Sequence, residues 1–325
     1  MKKLKIAYFG TPYFSDRFLE KLLTDTTIKN LIEVKLVVTQ PDKPVGKKQI
    51  ITKSPVKIVA ERFGIDVYDS NKPNSQSLLD RLKTVDIALL YSLFAIITKK
   101  MLALPKMGFW NTHPSLLPKY RGALPIAMPL ILGDQETGVT LIKLDEKVDH
   151  GPIIAQKKLT VNPTDKKPDL EIKLTDLAFG IFKKKIIELT SLRVNELKTI
   201  SQNHSNATYT HQLKKDDGFI PFSTLKKAVS KEQLTIDDNP KILKDYYQKN
   251  NLTVKPCSNE TIYNLFRGLF PWPGIWTVIN IKGTEKRLKI TDMDFSNGKL
   301  TIKKVQLEGK KEVDFETFNK AYSIF

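Results

Sequence analysis

Asn111 and His113 are the residues of this 325-residue chain that first invite a chemical reading. A short strand-like piece, Gly108-Phe109-Trp110, delivers them, and a proline-bounded, leucine-rich loop runs on through Pro118 to Arg121-Gly122. An amide and an imidazole at the end of a strand can hold and polarise a carbonyl. A tight acidic turn, Asp145 to Gly151, adds the carboxylates of Asp145 and Asp149. One amide, one imidazole and one carboxylate suffice to stabilise a tetrahedral oxyanion and to move protons during acyl transfer. Ser115 lacks the sharp turn of a serine nucleophile, and Cys257 falls in a different part of the chain. The pattern therefore predicts direct attack of one substrate on another, without a covalent enzyme intermediate. Taken singly, Asn111 reads more readily as a turn residue and His113 as a core histidine; their combination with the acidic turn is what points to function.

These groups need a scaffold. Lys5 to Phe9 reads as a strand ending at Gly10, followed by a helix that Ser15 can cap and that carries Phe18, Leu19, Leu22 and Leu23 on one face. Val34 to Thr39 is the next strand, and the strand–helix–strand start favours a parallel sheet. Gly10 stands alone, so there is no GxGxxG and no dinucleotide cofactor is implied. Val85 to Leu90 is apolar apart from Asp86 near its start, as a strand covered on both faces must largely be. Gly138 to Leu144 and Ile153 to Val161 are further strands, Pro129 should kink a helix over Leu124 to Leu132, and Asp169 to Leu189 is a long helix. In an open parallel sheet ligands bind at the carboxyl ends of strands. That rule brings Asn111, His113 and the acidic turn to one edge.

Gln40 to Lys53, with four lysines, two prolines and a glycine, reads as a mobile basic loop. Ser201 to Ala207 is a polar linker and the best domain boundary. Beyond it, Trp276 to Ile281, Arg287 to Thr291 and Leu300 to Leu307 are short alternating strands with glycine turns between them, which predicts a small barrel. Lys226 to Pro256 is a polar helical insertion. Trp110, Trp272 and Trp276 are expected in cores, and His150, His204 and His211 in structural or surface positions.

Composition sets the outer bounds. A hydrophobic content of 41% with 27% charged residues is a globular profile and excludes wholesale disorder. Fifty-three Lys and Arg against 35 Asp and Glu leave a net charge of +18. Such a field attracts polyanions such as nucleic acid, although a lysine-rich composition overall would produce the same number. The longest apolar runs are too short to cross a bilayer, so no membrane partner is expected. The N-terminus reads as a strand, not a signal peptide, which makes the cytoplasm the expected compartment. The single cysteine excludes an internal disulfide, and no metal-ligand spacing is present, so no metal is expected.

The motifs also carry a resemblance. Asn111-x-His113-x-Ser115-Leu116-Leu117-Pro118-x-Tyr120-Arg121-Gly122-Ala123-x-Pro125-Ile126 and Leu144-Asp145-x-x-x-Asp149-x-Gly151-Pro152-Ile153 resemble the folate-dependent formyltransferases. Phe9-Gly10-Thr11-Pro12, Thr39-Gln40-Pro41-Asp42-Lys43-Pro44, Gly46-Lys47-Lys48, Ser54-Pro55-Val56-Lys57, Arg267, Pro271-Trp272-Pro273 and Glu308-Gly309-Lys310-Lys311 extend it to nearly the whole chain and favour the methionyl-tRNA formyltransferases.

The resemblance implies an α/β fold: a Rossmann-like, parallel-sheet catalytic domain over residues 1–200, a linker over 201–210, and a small OB-like β-barrel over 211–325 with its insertion at 226–256. It implies transfer of the formyl group of 10-formyltetrahydrofolate to the α-amine of methionyl initiator tRNA, by a monomer. Asn111 and His113 would hold the formyl oxygen, and Asp149 would orient His113 and accept protons. Ser115, Leu116, Leu117 and Pro118 would line the folate pocket, Lys43, Lys47, Lys48 and Arg267 would bind tRNA, and Arg121 would be a folate or structural contact. The chain departs from the family at Lys43, where arginine is usual, at Phe94, near a usual glycine, at His150, where a small residue is usual, and in the 226–256 insertion. The alternatives are a formyltransferase acting on an amino sugar or nucleotide precursor, and a non-catalytic RNA-binding relative.

Overall fold

Strands form where apolar side chains are covered on both sides, and the first of them is buried along most of its length. In the computed structural model, which describes residues 2–46, 48–70, 72, 75–93, 97–191 and 197–325, β1 (Leu4–Phe9) lies inside a seven-stranded sheet. The other members are β2 (Ile32–Val38), β5 (Val67–Tyr68), β6 (Ile87–Leu90), β7 (Phe109–His113), β8 (Glu136–Lys143) and β9 (Ile153–Thr160). Between β2 and β5, β3 (Lys43–Val45) and β4 (Ile50–Thr52) pair with each other alone. The sheet order is β5-β2-β1-β6-β7-β8-β9. The strands from β5 through β7 are parallel, whereas β7 and β8 are antiparallel.

Packing divides the chain into two units. The first comprises Met1–Arg121, Thr137–Leu159 and Glu171–Ala207; the second comprises Gly122–Glu136, Thr160–Leu170 and Thr208–Phe325. In the first unit one sheet face presents Ala7, Phe9, Leu36, Val38, Ala88, Leu90 and Phe109 to a common apolar core. The opposite face carries Tyr8 and Trp110, which meet Phe18 and Phe182 of the helices Tyr13–Thr24 and Lys167–Ser191.

In the second unit β10 (Ile275–Ile281), β11 (Thr284–Ser296), β12 (Lys299–Leu307) and β13 (Glu312–Asp314) form an antiparallel meander, consistent with a small barrel. The helix Asn259–Leu269 approaches the helix Ala127–Leu132 closely at Gly268, where a Cβ would lie 2.5 Å from Ile131. The stretch expected as an insertion contains most of the helix Phe222–Ser230 and the helix Lys241–Lys249.

Four local expectations change. Ser15 is not a cap: it sits within the first helix, where its hydroxyl donates to Tyr91 O at 2.8 Å and bonds the Tyr8 hydroxyl at 2.7 Å. Pro129 falls in the first turn of a helix that starts only at Ala127; Met128 N still donates to Leu124 O at 3.1 Å, so the N–H that Pro129 lacks interrupts the bonding at the helix start and not in its middle. The basic loop contains the β3–β4 hairpin, with Val45, Ile50 and Ile51 exposed. Trp272 is 54% exposed, while Trp110 is fully buried as expected.

Candidate functional site

Asn111 and His113 are two apart on β7, so they share the sheet face that Phe109 begins. Thr112 between them turns the other way and donates to Leu90 O at 3.2 Å. Asp149 meets the pair. Asn111 Nδ2 donates to Asp149 Oδ1 at 3.2 Å, and His113 Nδ1 lies 3.5 Å from the same oxygen. All three side chains are buried. The second ring nitrogen, His113 Nε2, is 3.0 Å from Tyr120 O. A carbonyl only accepts, so Nε2 carries the hydrogen there, and Nδ1 is the nitrogen turned toward Asp149.

The route by which Asp149 arrives differs from the strand-edge rule. Because β8 runs antiparallel to β7, its end at Lys143 pairs with Trp110, whereas His113 pairs with Thr140. The turn after β8 therefore starts at the wrong end of β7 and must fold back. Leu144 N donates to Phe109 O at 2.8 Å, and Asp149 takes a left-handed backbone conformation, φ +48°. Gly151 passes so close to β8 that a Cβ would lie 1.8 Å from Lys143 O. A side chain at 151 is excluded by space.

The loop after His113 is held from below by two polar side chains. Thr140 Oγ1 on β8 donates to Ser115 O at 2.7 Å and accepts from Leu117 N at 3.0 Å. Gln156 Nε2 on β9 donates to Leu117 O at 2.9 Å and to Thr140 Oγ1 at 2.8 Å. Gly138 lies beside Leu116, whose Cδ2 would be 2.6 Å from an added Cβ. Of the expected folate-pocket residues, Leu116 and Pro118 stay partly exposed and Leu117 is buried. Ser115 spends its hydroxyl inside the loop, donating to Lys119 O at 2.6 Å.

Polar partners surround this centre, and one of them, Gln202, was not expected from the sequence. Arg121 is 1% exposed and donates from Nη2 to Gln202 Oε1 at 2.7 Å and to His204 Nδ1 at 2.8 Å. Gln202, from the segment read as a linker, is 5% exposed and donates to Asp149 O and Gly151 O. His204 stacks on His150 with ring centroids 3.9 Å apart, and His150 Nδ1 meets Asp145 Oδ2 at 2.6 Å. Burial, with His150 and the Arg121 cation next in weight, lowers the His204 pKa below the ordinary histidine value. Nothing local in the sequence marks Gln202, because its partners lie about fifty residues and more away.

The expected RNA-contact residues divide. Lys43 and Lys48 are exposed on the hairpin segment, Lys43 Nζ donating to Gln40 Oε1 at 2.7 Å. Lys47 lies outside the described residues, as does Phe94. Lys57 secures the hairpin's base, reaching Asp69 at 2.7 Å and Asp42 at 2.9 Å; Asp69 first and Asp42 second hold its ammonium well above the usual lysine range. Arg267 is the exception to the expected set. It is 4% exposed and donates to Asn264 Oδ1, Asn162 O and Asp165 O within the second unit. Burial lowers its pKa from the ordinary arginine value. A guanidinium so enclosed ties backbone together and has no face for a phosphate. Among the described residues no cluster of three or more metal-ligating side chains occurs.

A buried amide and imidazole, each within 3.5 Å of one buried carboxylate oxygen on a mostly parallel sheet, have the make-up of an enzyme that transfers an acyl group. Residues 4–186 match the Formyl transferase family. A methionyl-tRNA formyltransferase of Thermotoga maritima is 38% identical over 73% of this chain and 74% of its own length. That of Caldicellulosiruptor saccharolyticus is 30% identical over 99% and 98%. The chain belongs to the formyl transferase family, in its methionyl-tRNA formyltransferase branch. A solved 4-N formyltransferase from Francisella tularensis, at 16% identity, shares the fold with a TM-score of 0.59, covering 90% of this chain and 99% of that one.

Proposed function

We propose that this chain transfers the formyl group of 10-formyltetrahydrofolate to the α-amine of methionyl initiator tRNA. The observation that carries the reading is the meeting of Asn111 and His113 with Asp149, in a chain of this family. The net reaction forms a bond from the amine nitrogen to the formyl carbon and breaks the bond from that carbon to the folate nitrogen. The proton lost by the amine ends on the departing folate.

Asn111 Nδ2 has two hydrogens, one of which goes to Asp149. The other is the donor for the formyl oxygen as it becomes an oxyanion. His113, locked through Nε2 by Tyr120 O, offers Nδ1 to the reacting centre. It takes the amine proton there and passes it on, while Asp149 stabilises the transient imidazolium. An α-amine has a pKa of about 7.7–8.0, lowered further by esterification, so much of it is neutral at pH 7 and a strong base is unnecessary. Alignment and oxyanion stabilisation then carry most of the rate.

The loop over Ser115, Leu116, Leu117 and Pro118 fits a flat, largely apolar donor. Leu116 and Pro118 supply the surface, and Ser115 and Leu117 hold the loop's shape. Lys43 and Lys48, with Lys47, meet phosphates, and the exposed Val45 and Ile50, paired across the hairpin, give it an apolar side for bases or sugars. Arg267 is not part of this set. A single chain supplies all three central side chains, so a monomer suffices, and the cytoplasm is where initiator tRNA is charged. No helix among the described residues is long and apolar enough to cross a membrane.

The test is formylation with 10-formyltetrahydrofolate and methionyl-tRNA, comparing initiator with elongator. Transfer to the initiator is expected, and Asn111→Ala should lower kcat by about 10²–10³-fold with tRNA binding kept. Transfer to an amino sugar nucleotide and not to tRNA would replace this reading with the small-substrate one.

A further inference from the structure

A left-handed backbone at a non-glycine residue costs free energy and persists only when its surroundings enforce it. Asp149 is such a residue, and its carboxylate is the part of the centre that β7 does not carry. What enforces its position is therefore a question about the reaction.

Gln202 Nε2 donates to Asp149 O at 2.9 Å and to Gly151 O at 2.7 Å, using both amide hydrogens on the backbone either side of His150. The amide cannot be turned over, because its oxygen would then face two carbonyls. Arg121 sets the same orientation from the far side: its Nη2 donates to Gln202 Oε1 at 2.7 Å, and a guanidinium has no acceptor to offer. Both side chains are almost wholly buried, where a charge-assisted hydrogen bond is strong and a misdirected one is costly. Arg121 also reaches His204, whose ring lies flat on His150 between the two gripped carbonyls, and His150 in turn meets Asp145 at the start of the turn.

We propose that Gln202 is a positioning residue for formyl transfer: its carboxamide, oriented by the Arg121 guanidinium, grips the backbone at Asp149 and Gly151 and so holds the Asp149 carboxylate against Asn111 and His113. The inference rests on the reading of Asp149 as part of the transfer site. It gives the segment 201–207 a task in the reaction beyond connection.

A double-mutant cycle in the full-length protein tests it, with kcat read at saturating folate donor and initiator methionyl-tRNA. Gln202→Met keeps the length and removes all three hydrogen bonds. In the wild-type background it should lower kcat by roughly 10–100-fold with both KM values within about threefold, the size expected when a reacting group is displaced by a fraction of an ångström to about 1 Å. In an Asp149→Asn background the same change should cost less than about threefold, since a residue acting through Asp149 has little left to act on. Equal factors in the two backgrounds, or an unaltered kcat in Gln202→Met of normal melting temperature, would overturn the proposal. If Gln202→Met does not fold, Gln202→Glu takes its place; it keeps the acceptor for Arg121 and turns an oxygen on the two carbonyls, and the same two comparisons apply. Failure of the underlying reading looks different: Asp149→Asn alone would then keep wild-type kcat, or the wild type would not formylate tRNA at all.

Discussion

Replacing Asp149 by asparagine alters charge with little change of shape. Asp149 Oδ1 accepts from Asn111 Nδ2 at 3.2 Å, and an asparagine oxygen in the same place still accepts. What is lost is the negative charge 3.5 Å from His113 Nδ1. Two unit charges at that separation interact by about 5 kcal/mol at an effective dielectric constant near 20. If the imidazolium is half to four-fifths formed in the transition state, the barrier rises by about 2.5–4 kcal/mol, or roughly 10²–10³-fold in kcat. Ground-state contacts barely change, so KM for tRNA and the melting temperature should stay close to wild type. The assay is single-turnover formylation with both substrates saturating, alongside a thermal melt. A kcat within tenfold of wild type would refute the electrostatic role of Asp149. So would a loss matched by a loss of folded protein.

Three further outcomes follow from the same contacts. Lys43→Ala with Lys48→Ala should weaken tRNA binding and lower the slope of log affinity against log salt by about 1–2, with kcat at saturating tRNA unchanged; an unaltered slope means the hairpin does not meet phosphate. Arg267→Met should leave that slope unchanged and destabilise the protein by about 2–4 kcal/mol in denaturant unfolding, because it strips donors from Asn264 Oδ1 and two backbone carbonyls; a changed salt slope without destabilisation would return Arg267 to the RNA-contact set. Burial pushes the Glu171 carboxyl up to about 7, from an ordinary value of 4.5, so the folded state holds a proton that the unfolded chain releases. Its contribution to stability is then full below about pH 4.5 and lost as pH rises through 7, a change of order 3 kcal/mol. Glu171→Gln should remove that slope and be the more stable protein at pH 8; an equal difference between variant and wild type at pH 5 and pH 8 would contradict it.

Much of the scaffold is local in origin, which is why it can be read from the chain alone. The apolar run Ile87–Leu90 and the glycine turns after Ile281 and Ser296 set strand positions to within a few residues. Ser54 before Pro55 sets a helix start, and its hydroxyl does accept from Lys57 N at 3.1 Å. Ser15 and Pro129 were misleading because a tertiary partner decided the first and the helix boundary decided the second. For Arg267 and Trp272 the residue types were right for RNA and for a core, but exposure is a property of the fold, and it came out reversed.

The central stretch shows the same division. Residue type and spacing alone determined that an amide and an imidazole end one strand and that a carboxylate-bearing turn follows another, and with them the class of chemistry. Their meeting depends on long-range pairing. The antiparallel register of β8 against β7 places the end of β8 away from His113, and only the close approach of Gly151 to Lys143, the left-handed turn at Asp149 and the Gln202 amide return the carboxylate to the site. Strand direction and the partners of a glutamine fifty residues away leave no periodic trace in a sequence, because they are set by which surfaces pack together and not by what any one segment prefers.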